Sequence, residues 1–196
     1  MKIILIVLLL LILFLTLASY RCNQVDSHFL KFITNKDILI CGNSPNYYDQ
    51  INKVNINSNT VITRFNNVMD HIPKNSRTDI IILNSARYYP FLFFKYNKYK
   101  KEQSLKYVFW AKQFKKYRET IFKNNGIKVP TSGMIFLYFI IKHIDLVNSV
   151  TLVGFNLYLN GNIVSNRKVS KEHDVENETK LLNKFVEQNP KIVLIK

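Results

Sequence analysis

Cysteine is nearly absent from this chain, with Cys22 and Cys41 the only two in 196 residues. No CxxC pair and no Cys/His cluster exists, which argues against a zinc site. Acidic residues are scarce as well: 13 stand against 28 lysines and arginines, for a formal net charge of +15. No aspartate pair follows a strand, so no metal site is expected. Glycine occurs five times, and never in a Walker or Rossmann fingerprint, so the cofactors that go with those loops are not indicated. Long apolar runs are absent beyond the N-terminus. The run Met134 to Ile141 falls far short of the roughly 20 residues of a spanning helix and reads as a buried helix.

The residues that are present suit a globular chain, 47% hydrophobic and 13% aromatic. Excess positive charge favours an anionic partner, whether nucleic acid, an acidic membrane surface or a phosphate-bearing substrate. Ile3 to Ala18 carries no charge, and a helix of that length covers about 25 Å. Residues 1–20 are therefore expected to form an uncleaved signal anchor, a transmembrane helix, with cleavage after Ala18 the alternative. Lys2 precedes this segment and Arg21, Lys31 and Lys36 follow it, so the positive-inside rule does not orient it. Residues 21–36 are expected to be a short stem and 37–196 a single domain. Cys22 is placed for pairing between chains, and Cys41 as a small buried hydrophobe.

Within 37–196 the pattern is βαβ, repeated. Ile38 to Cys41, Val61 to Phe65 and Ile80 to Leu83 are short apolar runs, as in strands buried on both faces of a parallel sheet. Each ends in polar residues, and ligands of open α/β sheets bind at the carboxyl ends of strands. Residues 87–128, basic and aromatic throughout, predict one or two amphipathic helices around a turn. A helix over 133–143, a strand Val150 to Val153 ending at Gly154, a helix carrying Leu181, Leu182 and Phe185 inward, and a last strand in "KIVLI" complete the pattern. The fold expected is a Rossmann-like α/β/α sandwich with a mostly parallel sheet.

Four constellations carry candidate chemistry. In "CGNSPN", Gly42 allows close backbone approach, and Asn43 and Ser44 offer hydrogen-bonding side chains; an ordinary turn is the alternative. In "RFNN", Asn66 stands at a second strand end. In "VPTSGM", Thr131 or Ser132 caps a helix start whose free N–H groups, with Gly133, offer an anion site; a plain helix cap is the alternative. In "HDVENE", His173 and Glu178 lie five apart at a helix start. Of the four histidines, His28 lies in the stem and His143 at the far end of the apolar helix. His71 and His173 remain as candidate bases, histidine having the unperturbed pKa nearest neutrality.

In order, "ILICGNSPN", "VITRFNN", "VPTSGMIFLYFIIKHI…SVTLVGFNLY" and "HDVENETKLL" resemble the large, small and very small motifs of glycosyltransferase family 29, the sialyltransferases. "GFNLYLNG" looks like the bacterial family 42 sialyltransferases, which carry a tyrosine where Tyr158 stands. The resemblance implies a CMP-activated sialic acid or related acidic sugar as donor substrate and no cofactor. The acceptor would be a glycan hydroxyl on a glycoprotein or glycolipid. The reaction would be inverting and metal-independent. It further implies that Asn43, Ser44, Asn66, Thr131, Ser132, Gly133 and Gly154 hold the nucleotide, that His173 and Tyr158 are catalytic, and that Glu178 orients its segment. A single-pass type II protein with a lumenal domain in the Golgi goes with that resemblance, or a secreted one if the signal is cleaved; no nucleic acid is expected. Two alternatives stand beside it. One is an inactive relative that binds nucleotide or glycan without chemistry. The other is a basic membrane-associated protein that binds polyanions.

Overall fold

A computed structural model of the chain describes residues 2–20, 25–66, 76–84, 99–155 and 172–196. Six strands form one parallel sheet: β1 (Asp37–Cys41), β2 (Thr60–Phe65), β3 (Ile80–Leu83), β4 (Tyr107–Trp110), β5 (Ser149–Val153) and β6 (Ile192–Leu194), in the spatial order β4-β3-β2-β1-β5-β6. The helices are α1 (Lys2–Tyr20), α2 (Ser27–Ile33), α3 (Tyr47–Ile51), α4 (Lys115–Asn125), α5 (Ser132–Ile141) and α6 (Val175–Gln188). This is the mostly parallel, Rossmann-like arrangement expected.

The main core lies on one face of the sheet. Alternate residues Ile38 and Ile40, Val61 and Phe65, and Ile80 and Ile82 face it, and α5 fills its centre. Eight of the ten residues of α5 are buried, so a helix apolar all round is here a core helix, not a span. Phe136 and Phe139 of α5 stack on each other, and Phe114 meets both edge-on. The opposite face holds a smaller cluster of Leu39, Cys41, Tyr47, Ile62 and Val153, covered in part by Ile51 and Val54.

Two segments differ from expectation. The basic stretch 87–128 contains a strand, β4, where only helices were expected. "YVFW" is β-branched and aromatic, but the lysines around it give the stretch a helical look. As the edge strand it pairs only with β3 among the described strands, so charged neighbours are tolerated there. The segment expected as a stem folds as α2. Asp26 caps it, accepting from the Phe29 N–H at 2.9 Å, and Phe29 and Ile33 are fully buried. Phe29 packs on Phe109 edge-on, with centroids 4.6 Å apart, and on Phe139.

The N-terminal helix α1 is 19 residues long. Ile4 to Leu13 are each 50–71% exposed. Its side chains are described only over that stretch, and among the described residues no helix is long and apolar enough to cross a membrane. The anchor therefore stays an expectation.

Candidate functional site

The strand order reverses beside β1. From β1 the sheet grows through β2 and β3 to β4 on one side, and through β5 to β6 on the other. The carboxyl ends of β1 and β5 thus form the topological switch point, where open α/β sheets bind their ligands. Cys41 pairs with Val153 at that end, and a glycine follows each. The Gly42 N–H donates to the Val153 carbonyl at 2.7 Å, and the Ser44 N–H to the Gly154 carbonyl at 3.1 Å. A Cβ at Gly42 would sit 2.3 Å from the Gly154 oxygen, and one at Gly154 2.6 Å from the Gly42 oxygen. Gly154 also has φ +67°, which glycine adopts without penalty. The close approach that Gly42 allows is therefore to the neighbouring strand's backbone. Gln50 of α3 ties the knot from below, accepting from the Gly154 N–H at 2.6 Å.

A cleft of about 330 Å3, partly open to solvent, lies over this glycine pair. Asn43, Ser44, Thr131, Gly133 and Gly154 all line it, joined by Gly42 and Phe155. Three separate motifs of the sequence thus meet at one place. The Asn43 Oδ1 is buried with no hydrogen-bond partner among the described residues, an acceptor that a donor entering the cleft could satisfy. Ser44 is buried, and its hydroxyl accepts from the Asn46 N–H at 3.3 Å. Phe155 covers Gly133, where a Cβ would come within 3.0 Å of its ring.

At the other wall, Thr131 is the N-cap of α5, accepting from the Met134 N–H at 3.3 Å. Glu178 of α6 accepts from both the Thr131 N–H and the Thr131 hydroxyl, each at 2.8 Å. The single proton of the Thr131 hydroxyl is therefore committed to Glu178. Glu178 is fully buried. Burial pushes its carboxyl above the ordinary range, against the two Thr131 hydrogen bonds and the nearby His173, which act the other way. It ties the first turn of α6 to the start of α5.

His173 sits just before α6, and its Nδ1 lies 2.7 Å from the Val129 carbonyl oxygen. A carbonyl only accepts, so Nδ1 carries a proton, and in the neutral ring Nε2 is then the nitrogen with the lone pair. The same short segment 129–131 thus receives His173 at one end and Glu178 at the other. His143 is placed elsewhere, at the C-terminus of α5, with its Nε2 3.3 Å from the Tyr117 hydroxyl. Burial first, then Lys116, holds its pKa below the usual histidine value.

Not every expected residue joins the cleft. Ser132, the first residue of α5, is buried but outside the lining. Asn66 stands at the carboxyl end of β2 with φ +58°, and its Oδ1 accepts from the Asn84 N–H at 2.8 Å, bridging the ends of β2 and β3. Tyr158 and His71 lie outside the described residues. Gln50 and Phe155 belong to the site and were not singled out from sequence. Phe155 directly follows Gly154 and had a positional signal; Gln50, in a helix with no motif, had none.

No family model and no curated protein matches the sequence. Solved structures do match in fold. The monofunctional α-2,3-sialyltransferase Cst-I from Campylobacter jejuni superposes with a TM-score of 0.59 at 14% identity, covering 88% of this chain and 78% of that one. The C. jejuni sialyltransferase CstII, solved with cytidine-5'-monophosphate, gives 0.57 at 15% identity over 81% of this chain and 78% of that one. CstII with a trisaccharide acceptor and CMP gives 0.52 at 15% identity, over 81% and 79%. The chain thus has the fold of these sialyltransferases. The matches do not single out family 29.

Proposed function

We propose that the chain is a glycosyltransferase that moves sialic acid, or a related acidic sugar, from a CMP-activated donor to a glycan hydroxyl. The observation that carries this reading is the meeting of the β1 turn, Gly154 and the α5 N-terminus in one cleft, with His173 held on the adjoining segment. The fold shared with enzymes solved with CMP supports it. In this reading Asn43 and Ser44 receive the nucleotide, and the N-terminus of α5 at Gly133 faces its phosphate. Asn66 and Ser132 support the walls, and Tyr158 is a second catalytic group.

The chemistry is a single displacement. The acceptor hydroxyl oxygen attacks the anomeric carbon of the sugar and loses its proton to Nε2 of His173. The bond from that carbon to the phosphate oxygen breaks, and its electron pair leaves with CMP. One inversion results, with no metal in the step. Charge grows on the phosphate as it leaves, and preorganised N–H donors stabilise it. The Nδ1–H bond to Val129 keeps the imidazole in the tautomer this role requires. We place the domain on an N-terminal membrane anchor, type II, acting on glycoproteins or glycolipids in the secretory pathway.

Equilibrium binding of CMP, UDP and GDP to the detergent-solubilised full chain tests the reading. CMP should bind and the other two should bind at least tenfold more weakly, about 1.4 kcal/mol. Equal binding of all three, or of none, defeats it. CMP binding with no hydrolysis or transfer of a CMP-sugar would instead favour a nucleotide-binding protein without chemistry.

A further inference from the structure

Arg64 is a buried cation with no anion beside it among the described residues. It is 3% exposed. Its Nε donates to the Thr78 hydroxyl at 3.1 Å and its Nη1 to the Tyr47 hydroxyl. Its guanidinium carbon lies 5.0 Å from the centre of the Tyr47 ring. All of these partners are neutral. Among the described residues the ion pairs join Arg77 and Lys106 to Asp79, Lys115 to Glu119 and Lys180 to Glu176, and none reaches Arg64. The contrast with Asp79 is instructive. It is equally buried, yet it has two cations within 3.3 Å and accepts from the Ile62 N–H. A guanidinium does not shed its proton to escape burial, so its charge is held there by neutral partners alone, without the ion pair that a buried charge usually has. Two neighbours might have supplied a negative charge and do not. Burial pushes the Tyr47 hydroxyl up to about 12 and raises the Cys41 thiol, so both stay neutral.

The position of Arg64 gives that charge a use. Ile40 pairs with Thr63 and Cys41 with Val153, so Arg64 lies level with the last strand residues, one step below the Gly42–Gly154 contact. Tyr47, which it grips, opens α3 and donates its N–H to the Ser44 carbonyl at 3.1 Å. The Tyr47 Cβ also abuts Gly154, 3.3 Å from where a Cβ there would stand. The guanidinium thus braces the loop that forms one wall of the cleft.

We propose that Arg64 is a positioning residue and a fixed positive charge behind one wall of this cleft, selecting ligands that carry a phosphate over the same ligands without one. The inference rests on the nucleotide reading of the cleft and deepens it. It does not require Arg64 to touch the ligand: a charge held in a dry interior acts over several ångströms.

Binding of CMP and of cytidine to the full chain, unchanged and as Arg64→Lys and Arg64→Met, tests this. Arg64→Met removes both the brace and the charge, so both affinities should fall, CMP affinity about 5- to 20-fold more than cytidine affinity. Arg64→Lys keeps the charge but cannot bridge Tyr47 and Thr78. Both affinities should fall together, and the preference for CMP over cytidine should stay within about threefold of the unchanged chain. A collapse of that preference in the lysine variant, or equal losses of CMP and cytidine in the methionine variant, overturns the proposal. The lysine variant alone decides if the methionine variant does not fold. If the unchanged chain binds no CMP, the nucleotide reading falls. Inorganic pyrophosphate then decides Arg64 separately: weaker binding to Arg64→Lys or Arg64→Met supports it, and unchanged or absent binding overturns it.

Discussion

His173 and Glu178 are anchored to the same three-residue segment but are suited to opposite tasks. His173 offers a second ring nitrogen that bonds to none of the described residues. Glu178 is fully buried, with each of its oxygens bound to Thr131. His173→Ala should therefore cut turnover about 10²- to 10⁴-fold while leaving CMP affinity within twofold, read by initial rates and equilibrium binding. If His173→Ala remains active, the base is another group. Glu178 should announce itself through pH and stability. Its folded-state pKa lies above the ordinary value of 4.5, so the folded chain holds this proton more tightly than the unfolded chain. Its contribution to stability is fully present below the ordinary glutamate pKa. It is lost as pH rises through the window up to the raised value. Chemical denaturation of the parent chain and Glu178→Gln between about pH 4 and pH 7 should show the parent losing ground to the variant as pH rises. A pH-independent difference would mean that the carboxyl is not shifted by burial. Position in a motif pointed to both residues, but the sequence could not show that Glu178 would close on Thr131, 47 positions away. That contact exists only because α5 and α6 pack on the same face of the sheet.

Among the elements, α5 carries the clearest link from local sequence to site. Pro130, Thr131, Ser132 and Gly133 before an apolar run mark a helix start, and the helix begins there. Two capping residues were open from sequence, and the structure uses Thr131, whose hydroxyl accepts from Met134 while donating to Glu178. Thr131→Val should cost about 1–2 kcal/mol by thermal or chemical melting, and Thr131→Ser should restore most of it. A valine variant as stable as the parent, with the serine variant weakened, would show that the methyl group, not the hydroxyl, matters. The strands β1, β2, β3 and β5 were legible for a simple reason. Each is a short apolar run that stops at polar residues, as burial on both faces demands. β4 was hidden because an edge strand lacks that signature and sits among lysines. α3 was hidden because its five residues are too few for a period, although its Tyr47 and Gln50 brace the glycine pair. The glycine pair itself was visible only as two separate turns. Their contact follows from the adjacency of β1 and β5, which is a property of the whole sheet.

At the scale of the whole molecule, charge and chain ends set the expectations. The proposed displacement moves a proton and a phosphate charge with side chains and backbone alone. Activity should accordingly survive EDTA; its loss on chelation and return with manganese would overturn that. The N-terminal boundary of the domain is the other whole-molecule question. The composition places the domain start at residue 37, but the packing places it earlier. Phe29 and Ile33 are fully buried, with Phe29 against Phe109, Phe139 and Tyr107. Each large apolar side chain so buried contributes about 1.5–3 kcal/mol. Losing α2 would also expose the apolar faces beneath it. The sum is a large share of the 5–15 kcal/mol that holds a typical domain together. By contrast, Ile4 to Leu13 of α1 are exposed and should contribute to solubility in detergent rather than to the fold. A chain beginning at residue 25, which keeps the Asp26 cap, should therefore be soluble without detergent and melt cooperatively near the temperature of the full chain. A chain beginning at residue 37 should melt far lower or show no cooperative transition. Equal melting temperatures for the two truncated chains would show that α2 is dispensable and return the boundary to residue 37.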